Sequence, residues 1–184
     1  DNSLQKPTAP STESPGTSDK QDNSKVIWDY LIGKFGNAYA VAGIMGNLYA
    51  ESGLRSNNLQ NGFEKKLGMD DVAYTAAVDS GAYGNFVRDS AGYGLAQWTY
   101  WSRKQNLLNF ARSAGKSIGD LNMQLDFLWT ELQGYKPLMA ALKATKSVYE
   151  ASTAVLLQYE KPADQSEAVK RKRAEYGSNY YKQY

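Results

Sequence analysis

Residues 38–53 read AYAVAGIMGNLYAESG, a stretch that predicts an apolar helix ending on a single carboxylate. Asn37 precedes it and is a good N-cap, because its side-chain oxygen can accept an N–H of the first turn. Large apolar residues recur at helical spacing, and small residues fill much of the remaining surface. Gly43 and Gly46 weaken a helix, so they indicate close approach of another backbone. We therefore expect this helix to be packed on most of its sides.

The acidic residue of this stretch is Glu51, at its C-terminal end, and Ser52-Gly53 follows as a helix stop. The helix dipole is negative at this end, which disfavours a carboxylate. Burial also disfavours the ionised carboxylate. The dipole and burial thus both favour the protonated form, which is the form that a general acid uses. Glu51 is therefore a candidate general acid. The alternative is a solvated glutamate at a helix end.

The composition restricts the class of protein. A chain of 184 residues with 42% hydrophobic and 22% charged residues fits one globular domain with a real core. Cysteine and histidine are absent from the sequence, which excludes disulfides, cysteine nucleophiles, serine–histidine triads and histidine-ligated zinc. No apolar run approaches the ~20 residues of a membrane span.

The net charge of +2 at pH 7 is too small to indicate a nucleic-acid-binding protein. The basic residues do cluster in one place, from Lys170 to Arg173. Such a run usually lies on the solvated face of a polar helix, and contact with an anionic polymer is the alternative.

The first 23 residues hold three prolines among polar residues, with Leu4 as the only large apolar side chain. Such a segment cannot bury enough surface to offset its ordering entropy, so we predict a flexible linker or tail over 1–23 that joins another module. Cap residues and helical periodicity predict helices over 24–35, 38–52, 70–80, 101–114, 120–133, 137–143, 148–160 and 165–184. Residues 53–69 predict a loop, and 81–98 predict turns with a small β-hairpin.

A second motif lies at residues 89–99, which read DSAGYGLAQWT. Gly92 and Gly94 permit close backbone approach, and Tyr93 and Trp98 supply flat aromatic faces. Aromatic rings beside amides and carboxylates are how proteins hold sugar rings, by stacking and directed hydrogen bonds. The motif therefore favours a site that binds sugars.

Together the two motifs resemble the phage tail lysozyme family, in GIMGNL with ESG at 43–53 and GYGLAQWT at 92–99. The Glu-Ser and Gly-x-Gly-Leu-x-Gln elements are also similar to those of goose-type lysozymes and soluble lytic transglycosylases. Tyr159-Glu160-Lys161-Pro162 fits the family's closing motif, so the resemblance spans roughly residues 25–183. It implies a mostly α, lysozyme-like fold with a glycine-rich turn or small β-hairpin beside the active-site cleft.

The resemblance implies cleavage of peptidoglycan between N-acetylmuramic acid and N-acetylglucosamine, with Glu51 as the general acid. Asp89 is similar in place to an aspartate that goose-type lysozymes carry before the glycine-rich turn, proposed to position the attacking water. Those enzymes have a further acid after the Gln, where this chain has Trp98-Thr99. Four other acidic residues are alternatives for the second carboxylate: Glu64, Asp70, Asp71 and Asp79.

The same resemblance predicts substrate contacts at Ser52, Tyr93, Gly94, Gln97, Trp98, Thr99 and Tyr159. For the three aromatic residues the alternative is a place in the core, and Gln97 could instead satisfy backbone groups of the turn.

We interpret residues 24–184 as a monomeric peptidoglycan-cleaving domain, a muramidase that uses no metal or organic cofactor. Its partner is bacterial peptidoglycan, with no nucleic acid and no membrane span, so it acts extracellularly or at the cell wall. It would be delivered by a phage particle, as a phage lysis product or by secretion. The alternatives are a lytic transglycosylase that forms a 1,6-anhydro sugar, an N-acetylglucosaminidase, and a non-catalytic glycan-binding module.

Overall fold

The computed structural model describes the backbone from Thr17 and the side chains from Asn23, both to Tyr184. The mostly α fold is confirmed, and none of the described helices is long and apolar enough to cross a membrane. The helices are α1 (Thr17–Phe35), α2 (Ala38–Ser52), α3 (Asn61–Leu67), α4 (Asp71–Ser80), α5 (Trp101–Ala114), α6 (Leu121–Gln133), α7 (Lys136–Ala144), α8 (Val148–Val155) and α9 (Glu167–Gln183), with a π-helical turn at Leu156–Glu160.

The first helix begins earlier than the sequence indicates. The linker prediction for 1–23 lies largely outside the described residues, but α1 starts at Thr17 and Ser24 is inside it. The Ser24 hydroxyl is hydrogen-bonded with the Tyr184 hydroxyl at 2.6 Å, so it serves a tertiary contact and not a helix cap.

The chain forms two compact units. The loop unit comprises Arg55–Phe127, and the helical unit comprises Ser24–Leu54 together with Leu128–Tyr184. The candidate acid Glu51 belongs to the helical unit, and the glycine-rich motif at 89–99 belongs to the loop unit.

Helix α2 is the centre of the helical unit, and its residues from Ala40 to Leu48 are all buried. Its two central glycines explain how closely it is packed. A Cβ atom at Gly43 would lie 2.6 Å from the backbone nitrogen of Ser152, and one at Gly46 would lie 2.3 Å from the carbonyl oxygen of Arg173. The absence of these side chains lets the backbones of α8 and α9 approach α2, as the sequence predicts.

The ends of α2 are also as predicted. The Asn37 side-chain oxygen accepts N–H bonds from Tyr39 at 3.0 Å and Ala40 at 3.4 Å. Gly53 ends the helix with φ +65°, a conformation that glycine adopts without steric cost, and its N–H donates to the Tyr49 carbonyl at 2.9 Å. These caps place Glu51 in the last turn of a helix with defined ends.

The loop unit differs from its prediction in two places. Helix α3 forms where a loop is expected, and the predicted hairpin within 81–98 is reduced to two isolated antiparallel bridges, Leu59 with Tyr93 and Tyr93 with Trp98. The second bridge exchanges two backbone hydrogen bonds of 3.0 Å. It closes a turn in which Gly94 has φ +82° and Gln97 φ +54°, so the chain reverses too tightly to extend into a ladder.

Candidate active site

Glu51 lies in the last turn of α2 with its side chain 18% exposed, so the carboxyl group is mostly buried yet accessible. Its Oε2 atom is 2.8 Å from Nη2 of Arg173, which lies on α9. Among the described residues, this ion pair is the one polar contact of the Glu51 carboxyl group. Both partners belong to the helical unit.

Arg173 is the site residue that sequence reasoning missed. The run from Lys170 to Arg173 is expected to be solvated, and for Arg173 this expectation is wrong, since its side chain is only 10% exposed. Its Nη1 donates to Oδ1 of Asn47 at 2.9 Å, within α2. The sequence does contain one signal. Gly177 follows Arg173 by four residues and so lies on the same face of the helix, and a glycine inside a helix indicates close packing. In the structure both residues are buried.

Asp89 is almost completely buried in the loop unit, with its side chain 2% exposed. Oδ1 accepts bonds from Nζ of Lys104 at 2.6 Å and from the N–H of Ala91 at 2.9 Å. Oδ2 accepts from the hydroxyls of Tyr74 at 2.6 Å and Tyr83 at 2.8 Å. A carboxylate offers about four lone-pair sites, so these four donors leave none for a water. In these contacts Asp89 is the acceptor for four groups of the loop unit, and its catalytic role stays a prediction.

Lys104 shares this burial, with no exposed side-chain surface, and its ammonium also lies 4.2 Å from the centre of the Phe86 ring. Burial lowers the pKa of Lys104, while the bond to Asp89 opposes that shift. Burial and the bond to Asp89 raise the pKa of Tyr83 to about 12. The tyrosine hydroxyl therefore stays protonated as a donor, and the cluster is a fully paired structural network.

The aromatic residues of the glycine-rich motif lie in the core. Tyr93 and Trp98 have no exposed surface. The Tyr93 hydroxyl is hydrogen-bonded with the Thr75 hydroxyl at 2.6 Å, and Trp98 meets Phe127 edge-on at 5.2 Å between ring centres. Of the two interpretations that the sequence leaves open, core packing describes both residues.

The remaining residues of the motif shape the turn itself. Nε2 of Gln97 donates to the carbonyl of Asn58 at 2.9 Å and to that of Gly94 at 3.0 Å, as its alternative interpretation predicts. A Cβ atom at Gly94 would lie 2.8 Å from Nε2 of Gln124. Thr99 is exposed and donates its hydroxyl to the Gln97 carbonyl at 2.8 Å. Thr99 and Ser90 are the exposed residues of the motif.

The sequence model of the phage tail lysozyme family matches residues 22–184. The chain belongs to the phage tail lysozyme family. A search of curated proteins found no match. Membership of the family supports a lysozyme-type, peptidoglycan-lytic enzyme, and it is compatible with a place in a phage particle or outside the cell.

Two further predicted contacts of this phage tail lysozyme domain lie within the helical unit. Ser52 is buried and donates its hydroxyl to the Leu48 carbonyl of its own helix at 3.1 Å. Tyr159 is 2% exposed and donates its hydroxyl to Oε1 of Glu131 at 2.6 Å. Neither hydroxyl faces solvent in this structure, so a core role describes Tyr159.

Tyr159 lies in the π-helical turn that follows α8, where the sequence predicts regular helix. The turn ends at Lys161, a non-glycine residue with φ +48°. π-helical turns occur frequently at functional sites, and this one coincides with the family's closing motif at 159–162. A π-helical turn holds one more residue than an α-helical turn, and Tyr159 lies within it.

Two of the four alternative carboxylates have structural partners in the phage tail lysozyme domain. Asp70 caps α4 by accepting the Ala73 N–H at 2.8 Å. Asp79 accepts the Ile118 N–H at 3.0 Å and the Ser117 hydroxyl. Both therefore anchor backbone segments of the loop unit.

Asp71 is the alternative with the most unusual environment. Oδ1 accepts the Leu59 N–H at 2.9 Å, and Oδ2 lies 3.5 Å from Nη2 of Arg55. Burial raises the pKa of Asp71 to about 6, and nearby Glu64 adds to the rise while the Leu59 N–H and Arg55 oppose it. Asp71 therefore changes its charge near pH 6.

This raised pKa predicts a pH-dependent contribution to stability. Because the pKa is higher in the folded than in the unfolded chain, the folded state binds more protons between about pH 4 and pH 6, so stability due to Asp71 is lost as the pH rises through that window. Asp71→Asn removes the titration. We expect the free energy of unfolding of the wild type, relative to Asp71→Asn, to be higher near pH 4 than near pH 7 in urea titrations. An equal difference at both values would contradict the assignment.

Proposed function

We propose that this chain is a muramidase, which hydrolyses the β-1,4 bond between N-acetylmuramic acid and N-acetylglucosamine in peptidoglycan. Glu51 is the general acid that protonates the glycosidic oxygen as the bond to the sugar breaks. The observation that carries the proposal is the carboxyl group of Glu51 itself. It stands at the end of the central helix with 18% of its side chain exposed, within the motif by which the chain resembles its family.

A muramidase also needs a nucleophile at the sugar carbon, and inverting enzymes activate a water with a second carboxylate. We propose that Asp89 holds the glycine-rich turn and does not handle this water, because four donors occupy its oxygens. Asp71 stays an alternative second carboxylate, with its Oδ1 atom accepting the Leu59 N–H at 2.9 Å and its Oδ2 atom 3.5 Å from Arg55.

The occupied oxygens of Asp89 also favour a second candidate, a lytic transglycosylase. In that reaction the oxygen at C6 of the muramic acid attacks its own C1 carbon, and a 1,6-anhydro sugar forms with no water consumed. Glu51 gives its proton to the leaving oxygen, and the carboxylate that results accepts the proton of the attacking C6 hydroxyl, which regenerates the acid. No second carboxylate has to hold a water in this route.

Mass spectrometry of borohydride-reduced muropeptides tests these proposals. Purified peptidoglycan is digested with the wild type and with Glu51→Gln, and the new chain ends are identified. We expect reduced muramic acid ends that disappear in the variant. Anhydro ends would assign the transglycosylase reaction, and reduced glucosamine ends an N-acetylglucosaminidase. Absence of soluble products from several wall types would favour the glycan-binding module.

The setting follows from the same proposal. The substrate polymer is bacterial peptidoglycan, and the enzyme meets it at the cell wall, carried there by a phage particle, as a lysis product or by secretion. The linker predicted over 1–23 would attach the monomeric domain to another module.

A further inference from the structure

We propose that Arg173 is a positioning residue that holds the carboxyl group of Glu51 in its productive orientation, and that Asn47 holds Arg173. This inference rests on the proposed function of Glu51 as the general acid. It concerns side chains of α2, α8 and α9, all within the helical unit.

The guanidinium group of Arg173 bridges two partners on α2. Nη2 lies 2.8 Å from Oε2 of Glu51, and Nη1 donates to Oδ1 of Asn47 at 2.9 Å. The two nitrogens belong to one rigid planar group, so fixing one bond fixes the direction of the other. A lysine could supply the charge and donate bonds at this position, but it lacks the fixed fork geometry of the guanidinium group.

Asn47 in turn has a single orientation that satisfies its surroundings. It is fully buried, and its Nδ2 donates to the carbonyl of Gly43 at 3.0 Å and to that of Ser152 at 3.0 Å. These two acceptors require the amide nitrogen on their side, so the oxygen must face Arg173. The chain of contacts therefore runs from the backbones of α2 and α8 to the guanidinium group.

The position of Arg173 is set by backbone packing as well. A Cβ atom at Gly46 would lie 2.3 Å from the carbonyl oxygen of Arg173. In the same way, a Cβ atom at Gly177 would lie 2.5 Å from the carbonyl oxygen of Ala42. α9 is thus packed closely against α2 at Ala42 and at Gly46, the residue next to Asn47. A long side chain that leaves a closely packed helix at this point has little freedom to move, which suits a positioning role.

This arrangement assigns different tasks to the two oxygens of Glu51. Oε2 accepts from Arg173, so Oε1 is the oxygen that carries the proton to the substrate. When that proton has moved to the glycosidic oxygen, the carboxylate left behind is stabilised by the guanidinium group at 2.8 Å. Arg173 therefore aids the transition state, in which this charge develops, more than the bound substrate.

Steady-state kinetics on soluble glycan strands test the inference. We expect Arg173→Ala to lower kcat by about tenfold to hundredfold with KM changed by less than about twofold, since misplacement of the acid affects the chemical step. Added methylguanidinium should restore part of the activity of Arg173→Ala, because it can enter the space that the side chain vacates. Arg171→Ala is the matched control, an arginine of the same helix with its side chain 75% exposed.

Two further measurements keep the outcome decisive. If Arg173→Ala does not fold, Arg173→Lys serves instead, with a smaller expected decrease in kcat and unchanged KM. A variant that melts at a lower temperature but keeps wild-type kcat per folded molecule would overturn the inference and leave Arg173 a purely structural residue. Full activity of Glu51→Gln would instead overturn the proposed function, so the two failures are distinguishable.

Discussion

Glu51→Gln is expected to lower the rate of peptidoglycan cleavage by about 10²- to 10⁴-fold, the usual contribution of a general acid. The amide keeps the shape of the side chain and can still accept a bond from Arg173, but it has no acidic proton to give to the glycosidic oxygen. Dye release from labelled cell walls measures the effect, and circular dichroism verifies that the helices are retained.

The control for Glu51→Gln is Glu175→Gln, which removes a carboxylate of α9 whose side chain is 66% exposed and pairs only loosely with Lys172. Surface pairs of this kind contribute little, so both rate and stability should stay close to wild type. Wall cleavage by Glu51→Gln at the rate of this control would rule out Glu51 as the acid.

The second large effect is expected on stability, from Asp89→Asn. The change leaves the ammonium of Lys104 without its carboxylate, at a position with no exposed surface. Breaking a buried ion pair by removing one partner costs about 3–5 kcal/mol. Asn also offers fewer acceptor sites than a carboxylate, so the hydroxyls of Tyr74 and Tyr83 compete for what remains. Urea unfolding monitored by tryptophan fluorescence measures the loss.

The double variant Asp89→Asn/Lys104→Met gives the matched comparison. It removes both charges, so most of the lost free energy should return, since neutral pairs often replace buried ion pairs without loss. Activity per folded molecule should then be close to wild type, if Asp89 holds the turn, as we propose, and does not touch the substrate. A stable Asp89→Asn variant that fails to cleave walls would show the reverse, that Asp89 takes part in the reaction.

Helices with strong local signals were predictable from the sequence. α5 has the predicted bounds, Trp101 to Ala114, because apolar periodicity and a terminal glycine both mark it. α3 was missed because its seven residues include none that is buried, so they carry no apolar pattern. Of the two forms expected for the glycine-rich segment, the structure has the tight turn, because positive φ angles at Gly94 and Gln97 close it within a few residues.

The candidate site was predictable only where one residue carries the signal. Glu51 is visible in the sequence because it is the acidic end of an apolar helix, and its role stays a prediction. Asp89 is equally visible in the sequence. Its partner Lys104 lies on α5, and nothing in the sequence around Lys104 indicates that its side chain is buried. Arg173 is hidden in a basic run, and its bond to Asn47 spans 126 positions of the chain.

The sequence by itself determined most of the helices, the caps of α2, the family and the motif that contains Glu51, because each depends on residues that are neighbours in the chain. The tertiary structure alone decided which charged side chains are buried. Burial of Arg173 against Glu51 and of Lys104 against Asp89 is decided by side chains that meet only after folding. Local periodicity reports which face of a helix is apolar, whereas the free energy of a buried charge depends on the partner that folding brings to it.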